Sequence, residues 1–256
     1  MRSYGFVGTG EITAAIVEGL SAGVADPPPV FLSPRNHDVA RGLAARFPNA
    51  RVCGGNQEVL DSAAVIVVAV RPQVARQVLA DLAFRSDQVV VSALAGVSRA
   101  ELREWVAPAG RIVRAVPLPT ASRAASRTAM YPDDAAARTL FGSVGEVVVP
   151  GDEAALDAFS AATATFAAHL DQLATIAGWL ADHGVAPEDA NTYVAHVYGE
   201  LGQTLAEHSG TLDELARRHM TPGGINEQFL AGLRRDGVPS LVRHGLDNVL
   251  TRLHGQ

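Results

Sequence analysis

The short run Tyr4–Val7 reads as a strand and leads directly into Gly8-Thr9-Gly10, after which Ile12–Leu20 carries apolar residues at helical spacing. No other short feature constrains the fold as strongly. A strand that turns through two glycines into a helix dictates a β-turn-α unit with the helix N-terminus set above the strand end. The first glycine permits the tight turn, and the second lets the backbone approach a pyrophosphate held by the helix N–H groups. Gly8, Thr9 and Gly10 are therefore candidate contacts for a dinucleotide. Thr13 stands where the G-x-G-x-x-G/A pattern has Gly or Ala.

The same alternation continues downstream. Val30–Leu32, Val65–Val70, Val89–Val91, Ile112–Val116, Thr128–Tyr131 and Val144–Val149 read as strands, with helical spacing over Val39–Phe47 and Val74–Leu82. Strand, helix and strand in repetition require crossovers and so predict a mostly parallel sheet covered on both faces. Val65–Val70, apolar at every position, suits a strand buried on two sides. Past Pro150-Gly151 no β-rich run follows, only helical stretches broken at Gly184–Pro187, Ser209-Gly210 and Thr221–Gly224. The sequence thus predicts an α/β domain over residues 1–150 and an all-α domain over 151–256.

Cofactor type is legible just after the second strand. An NAD-selective site places Asp or Glu there for the ribose hydroxyls. Here the segment reads Leu32-Ser33-Pro34-Arg35-Asn36, with no acid before Asp38. Ser33, Arg35 and Asn36 offer a hydroxyl, a guanidinium and an amide, all able to donate to a 2′-phosphate. This points to NADP(H), with NAD(H) as the alternative.

Composition removes other chemistries. All 21 basic residues are arginine, which excludes Schiff-base enzymes, phosphate-loop NTPases and lysine-assisted hydroxyacid dehydrogenases. A net charge of −6 with scattered arginines lacks the footprint of a nucleic-acid binder. Cys53 is alone, so no internal disulfide forms, as suits a reducing compartment. The longest apolar run, Ala63–Val70, is far short of the roughly 20 residues that span a bilayer. The expectation is a soluble cytoplasmic protein with no membrane partner. His169, His183, His196, His208 and His219 never recur at the three- or four-residue spacing of helical metal ligands, so no metal site is expected. Tyr193, His196 and Glu200 share a helix face and suit a helix contact or a pocket wall.

Six segments, in order, resemble the pyrroline-5-carboxylate reductase family: Phe6–Gly10, Asn56–Leu60, Ala69–Gln73, Val91–Ser98, Arg111–Pro117 and Thr221–Asn226. Arg71 stands where that family usually has Lys. The resemblance implies an N-terminal Rossmann-type domain, a C-terminal helical dimerisation domain, and hydride transfer from NAD(P)H to the carbon of a cyclic imine. Beyond the glycine turn and the donors after the second strand, it places cofactor contacts at Glu11, Ile12, Asn56, Ala69, Val70, Arg71, Pro72, Ala93 and Gly96. It makes Thr221–Asn226 the substrate loop, with Thr221 a substrate contact and the backbone of Gly223, Gly224 and Ile225 holding a carboxylate. Asn226 then takes the place of a threonine that reaches the imine nitrogen, and is the candidate catalytic residue.

Two further departures accompany Asn226. Ala115-Val116-Pro117 replaces a polar segment beside the nicotinamide, and Ala161–Ala168 reads as an uninterrupted helix where the family has Gly and Pro. Besides an imine reductase, a reductase of another carbonyl-like substrate, F420-linked or not, and a non-catalytic NADP(H) sensor fit these residues. A homodimer or larger homo-oligomer is the expected assembly.

Overall fold

A computed structural model describes residues 3–255, which divide into two compact units: residues 3–160 with 250–255, and residues 161–249.

The first unit is built on an eight-stranded sheet. Its strands are β1 (Tyr4–Val7), β2 (Val30–Leu32), β3 (Ala50–Val52), β4 (Val65–Val68), β5 (Val89–Ser92), β6 (Arg111–Val116), β7 (Ser126–Tyr131) and β8 (Gly145–Val148). Their order is β3-β2-β1-β4-β5-β6-β7-β8, every pair parallel except β6 with β7. The order reverses at β1, which lies between β2 and β4. Above this switch point, at the carboxyl ends of the strands, doubly wound sheets bind their ligands.

Helices α1 (Glu11–Ser21), α2 (His37–Arg46), α3 (Asn56–Ser62), α4 (Pro72–Ala80), α5 (Arg99–Trp105), α6 (Ala135–Gly142) and α7 (Glu153–Thr163) complete this unit. Alternation along the strands divides its core in two. Val65 and Val67 of β4 join Phe6, Leu32, Val91 and Val113 with Ile16, Val17 and Leu20 of α1. Ile66 and Val68 join Val7, Val90 and Ile112 with Val59 and Leu60 of α3, Leu79 of α4 and Leu102 of α5. A strand apolar at every position is therefore satisfied on both faces. β4 ends at Val68, two residues earlier than its apolar run, and Ala69 and Val70 pass close beside Gly8.

One charged side chain is buried at the sheet. Arg114 in β6 is 3% exposed. Its guanidinium donates to Glu153 Oε1 at 2.9 Å and to Asp157 Oδ1 at 2.5 Å, two acids one turn apart on α7. Glu153 also accepts the Arg99 N–H at 2.7 Å, and His254 Nε2 lies 3.4 Å from Asp157 Oδ2.

The second unit contains α8 (Thr165–Asp182), α9 (Pro187–Glu207), α10 (Leu212–Arg218), α11 (Ile225–Arg235) and most of α12 (Val238–His254). The alanine-rich run expected to be continuous is interrupted at Ala164. Ala164 N–H turns to the carbonyl of Ala161, and the Thr165 hydroxyl takes the carbonyl of Ala162 at 2.8 Å, so helix bonding restarts. The end of α8 follows its sequence signal. Gly184 adopts φ +91°, its N–H and that of Val185 close on Ala181 and Leu180, and Pro187 opens α9. Packing within the unit is slight. Its buried cluster is Ala177, Ala190 and Val194, while Ile225, Leu241, Tyr193 and Phe229 stand 84%, 67%, 63% and 63% exposed. Among the described residues no helix is long and apolar enough to cross a membrane.

Candidate functional site

The first unit carries a cleft of about 350 Å³ above β2, β1 and β4. The structure brings together there the glycine turn (Gly8, Thr9, Gly10), Arg35 and Asn36 after β2, and Val70 and Arg71 after β4. Val74, in the first turn of α4, completes it. Val74 was not singled out from sequence, although a helix opening at Pro72 places it over the same strand ends.

The two glycines have different reasons. Gly8 has φ +101°, and a Cβ there would stand 2.5 Å from the carbonyl oxygen of Ala69. Gly10 is the N-cap of α1 with ordinary φ −101°, and a Cβ would meet nothing within 4 Å. The space beside Gly10 is open on the cleft side, and α1 has no side-chain cap, so its first N–H groups face it unshielded. That is a cradle for a phosphate. Thr13 also finds its reason. It is fully buried, and its hydroxyl donates to Gly8 O at 2.7 Å, pinning the turn.

Ser33 departs from expectation. It is 1% exposed and faces the glycine turn rather than a 2′-phosphate. Its Oγ accepts from Gly8 N–H at 2.9 Å and lies 3.1 Å from Thr9 Oγ1, while Thr9 donates to Ser33 O at 2.8 Å. With the Thr9 proton used on the carbonyl, Ser33 donates to Thr9, and its hydroxyl is fully taken up inside the fold. Ser33→Ala is expected to cost about 1–3 kcal/mol by orphaning Gly8 N–H, measured by urea unfolding. A stability equal to wild type would show that the turn does not depend on this brace.

Other expected contacts surround the cleft without lining it. Glu11 is exposed in the first turn of α1, and Ile12 packs on the core. Ala69 also packs on the core, and Pro72 opens α4. Asn56 is the first residue of α3, half-buried. Ala93 donates its N–H to Val68 O at 2.9 Å, and Gly96 turns with φ +74°. Ala115, expected beside a nicotinamide, lies in the core cluster with 5% exposure.

The cleft is electropositive. Arg35 and Arg71 are exposed, and among the described residues no carboxylate lines it. Cys53 offers no alternative chemistry, because burial, with the nearby Glu58 charge, pushes its thiol above the ordinary value and keeps it unreactive. The open pocket at Gly10, the free N–H groups of α1 and the two guanidiniums fit a phosphorylated dinucleotide.

In the second unit, the Thr221–Asn226 turn leads into α11 and borders a groove of about 620 Å³ between α9, α10 and α11. Two of its N–H groups, expected to be open to a substrate carboxylate, are already taken. Gly224 N–H closes on Thr221 O at 2.8 Å, and Gly223 N–H donates to Glu227 Oε2 at 2.7 Å. The cause is local. Gly224 has no side chain to cap α11, so the third helical residue reaches back instead. Ile225 begins the helix, and Thr221 is exposed. Asn226 Nδ2 donates to His219 O at 2.8 Å, using one of its two hydrogens. Glu200 lines the same groove, whereas Tyr193 and His196 are exposed on α9 outside it.

Comparison with known proteins extends this picture. Residues 3–96 match the family described as "NADP oxidoreductase coenzyme F420-dependent". Pyrroline-5-carboxylate reductase from Synechocystis sp. is 33% identical over 93% of this chain and 92% of its own length. The crystal structure of 1-pyrroline-5-carboxylate reductase from Streptococcus pyogenes superposes with TM-score 0.82 at 21% identity, over 100% of this chain and 99% of that one. That of Plasmodium falciparum pyrroline carboxylate reductase, solved with NADP bound, gives 0.78 at 17% identity, over 99% and 97%. With similarity along the whole chain and a phosphate cradle at the switch point of the sheet, this protein belongs to the pyrroline-5-carboxylate reductase family.

Proposed function

We propose that this protein is an NADPH-dependent reductase that converts pyrroline-5-carboxylate to proline. The observation that carries the reading is family similarity spanning both units, joined to a cleft with two arginines and no acid where NAD-selective sites place one. Nicotinamide, when bound, supplies the hydride that adds to the carbon of the C=N bond. The chain binds and orients. Backbone N–H groups at Gly10 and the start of α1 hold the pyrophosphate, and Arg35 with Asn36 holds the ribose phosphate.

As its carbon takes the hydride, the imine nitrogen takes a proton from solvent water, since the Asn226 amide can donate a hydrogen bond but no proton. Asn226 contacts that nitrogen with its second amide hydrogen, its first being fixed on His219 O. The substrate carboxylate displaces Glu227 from Gly223 N–H, an exchange of one carboxylate for another at a site already shaped for it. The working assembly is a homodimer. A second copy covers the exposed apolar residues of the helical unit, which its own small core leaves in water. A reducing cytoplasm suits the unpaired Cys53.

The test is NADPH oxidation at 340 nm with pyrroline-5-carboxylate. Turnover is expected, and Asn226→Ala is expected to lower kcat about tenfold, the weight of one hydrogen bond of about 1.4 kcal/mol. Tight NADPH binding without turnover on pyrroline-5-carboxylate or other cyclic imines would replace this reading with that of a nucleotide sensor.

A further inference from the structure

Arg71 occupies a position that its own helix disfavours. It is the N-cap of α4, with φ −66° and ψ 135° and no capping bond. N-caps are usually Ser, Thr, Asp or Asn, whose oxygens accept from the first N–H groups. A guanidinium has no acceptor, and its charge lies at the positive end of the helix dipole. On the other side of β1, Arg35 directly precedes Asn36, the N-cap of α2, whose side chain makes no capping bond either. Ser98 and Asp134 do cap α5 and α6 in the same unit.

The strand register makes the two arginines counterparts. β2 and β4 both pair with β1 and end at Leu32 and Val68, and each arginine follows its strand end by three residues (35 − 32 and 71 − 68). They line one cleft from its two sides, and neither has an ion pair or a hydrogen-bonded side-chain partner among the described residues. A cation at the N-cap of α4, with a second cation just before α2 and no acid among the described residues lining the cleft between them, breaks a local rule at Arg71. Such a break is expected where a ligand brings the missing charge.

We propose that Arg71 and Arg35 form a two-sided clamp on the 2′-phosphate of the nucleotide, making Arg71 a second determinant of cofactor choice. This rests on the NADPH reading of the cleft. A phosphate monoester carries close to two negative charges at neutral pH, which two guanidiniums balance, each through a planar fork of donors. Val70 and Val74, half-buried in the same cleft, give the adenine ring an apolar wall. The pyrophosphate is left to the glycine turn and α1.

The experiment titrates the full chain by calorimetry with NADPH, NADH, 2′,5′-ADP and 5′-AMP. Wild type is expected to bind 2′,5′-ADP more tightly than 5′-AMP by at least about tenfold. Arg71→Ala is expected to lose about tenfold for 2′,5′-ADP and NADPH while changing 5′-AMP and NADH little. Arg71→Lys recovers part of that loss, since it keeps the charge and loses the fork. The salt dependence of 2′,5′-ADP binding also becomes shallower in Arg71→Ala. Because Arg71 is exposed, the variant is expected to melt with wild type.

Equal losses for nucleotides with and without the 2′-phosphate would overturn the clamp and assign Arg71 to the pyrophosphate or the adenine. Unchanged binding in the variant would also overturn it while leaving the NADPH reading intact. A wild-type chain that binds none of the four ligands would remove both.

Discussion

Arg114→Ala is expected to cost about 3–5 kcal/mol of folding stability, lowering the thermal midpoint by roughly 6–20 °C. The size follows from what the variant leaves behind. Arg114 is the shared cation of Glu153 and Asp157, and Asp157 is itself only 7% exposed. Removing it takes the guanidinium from the buried Asp157 and from Glu153, leaves them only His254 and the Arg99 N–H, and adds repulsion between the two acids. Arg114→Lys would recover little, since a compact ammonium cannot bridge both acids as a fork does. Arg127→Ala is the matched control. Its pair with Glu146 is 70% exposed on both sides, and its loss is expected to leave the midpoint near wild type. Calorimetric scans of the three variants decide this. A midpoint for Arg114→Ala within about 2 °C of wild type would show that the network does not hold α7 to the sheet.

Gly10→Ala is expected to fold within about 1 kcal/mol of wild type and to bind NADPH at least about 10³-fold more weakly. At Gly10 the backbone angle suits alanine, and its methyl group would meet no protein atom within 4 Å. That empty space is where, in the proposed cofactor site, the pyrophosphate approaches the N–H groups of α1. Losing two charge-assisted bonds at about 2 kcal/mol each accounts for the factor. Gly8→Ala behaves differently. With φ +101° and a methyl 2.5 Å from Ala69 O, it is expected to lose stability as well as binding. Equilibrium unfolding and NADPH titration of both variants separate a glycine kept for the ligand from one kept for the chain. Wild-type NADPH affinity in Gly10→Ala would refute the cradle.

Much of this was legible in the residues. β1, the glycine turn and α1 follow from local spacing alone, and the absence of an acid after β2 needs no structure to be seen. β3 and α5 were missed for different reasons. β3 is three residues long at the sheet edge, too short for any period. α5 is short too, but it carried a usable signal, since Ser98 and Glu101 form a capping box. The antiparallel β7 could not be read, because direction depends on a connection through a short 3-10 turn, Pro119–Arg123, rather than on the strand residues.

The site shows the same division. Arg35 and Asn36 follow from their place after β2, Val70 and Arg71 from the family resemblance, and the four meet in one cleft. Ser33 has the right offset but the wrong direction. Side chains alternate along an extended chain, and its turn is inward, to Gly8 and Thr9. The carboxylate of Glu227 on Gly223 N–H was invisible for a further reason. It depends on helix-capping geometry that a Gly-Gly pair hides, since glycine supplies neither a cap nor a clash. Arg114 gave no warning, being one basic residue in an apolar strand whose acids lie 39 and 43 positions away.

The small core of the helical unit has a consequence for how the molecule behaves on dilution. Ala177, Ala190 and Val194, with the partly buried Leu173, Ile176, Leu180 and Tyr198 packed on them, make a small core, so in the proposed homodimer a second copy supplies much of the free energy that keeps α8 to α12 closed. Mass action then governs these helices. Their amide protons should exchange faster as the protein is diluted, while those of β1, β4 and β5 keep their protection at every concentration.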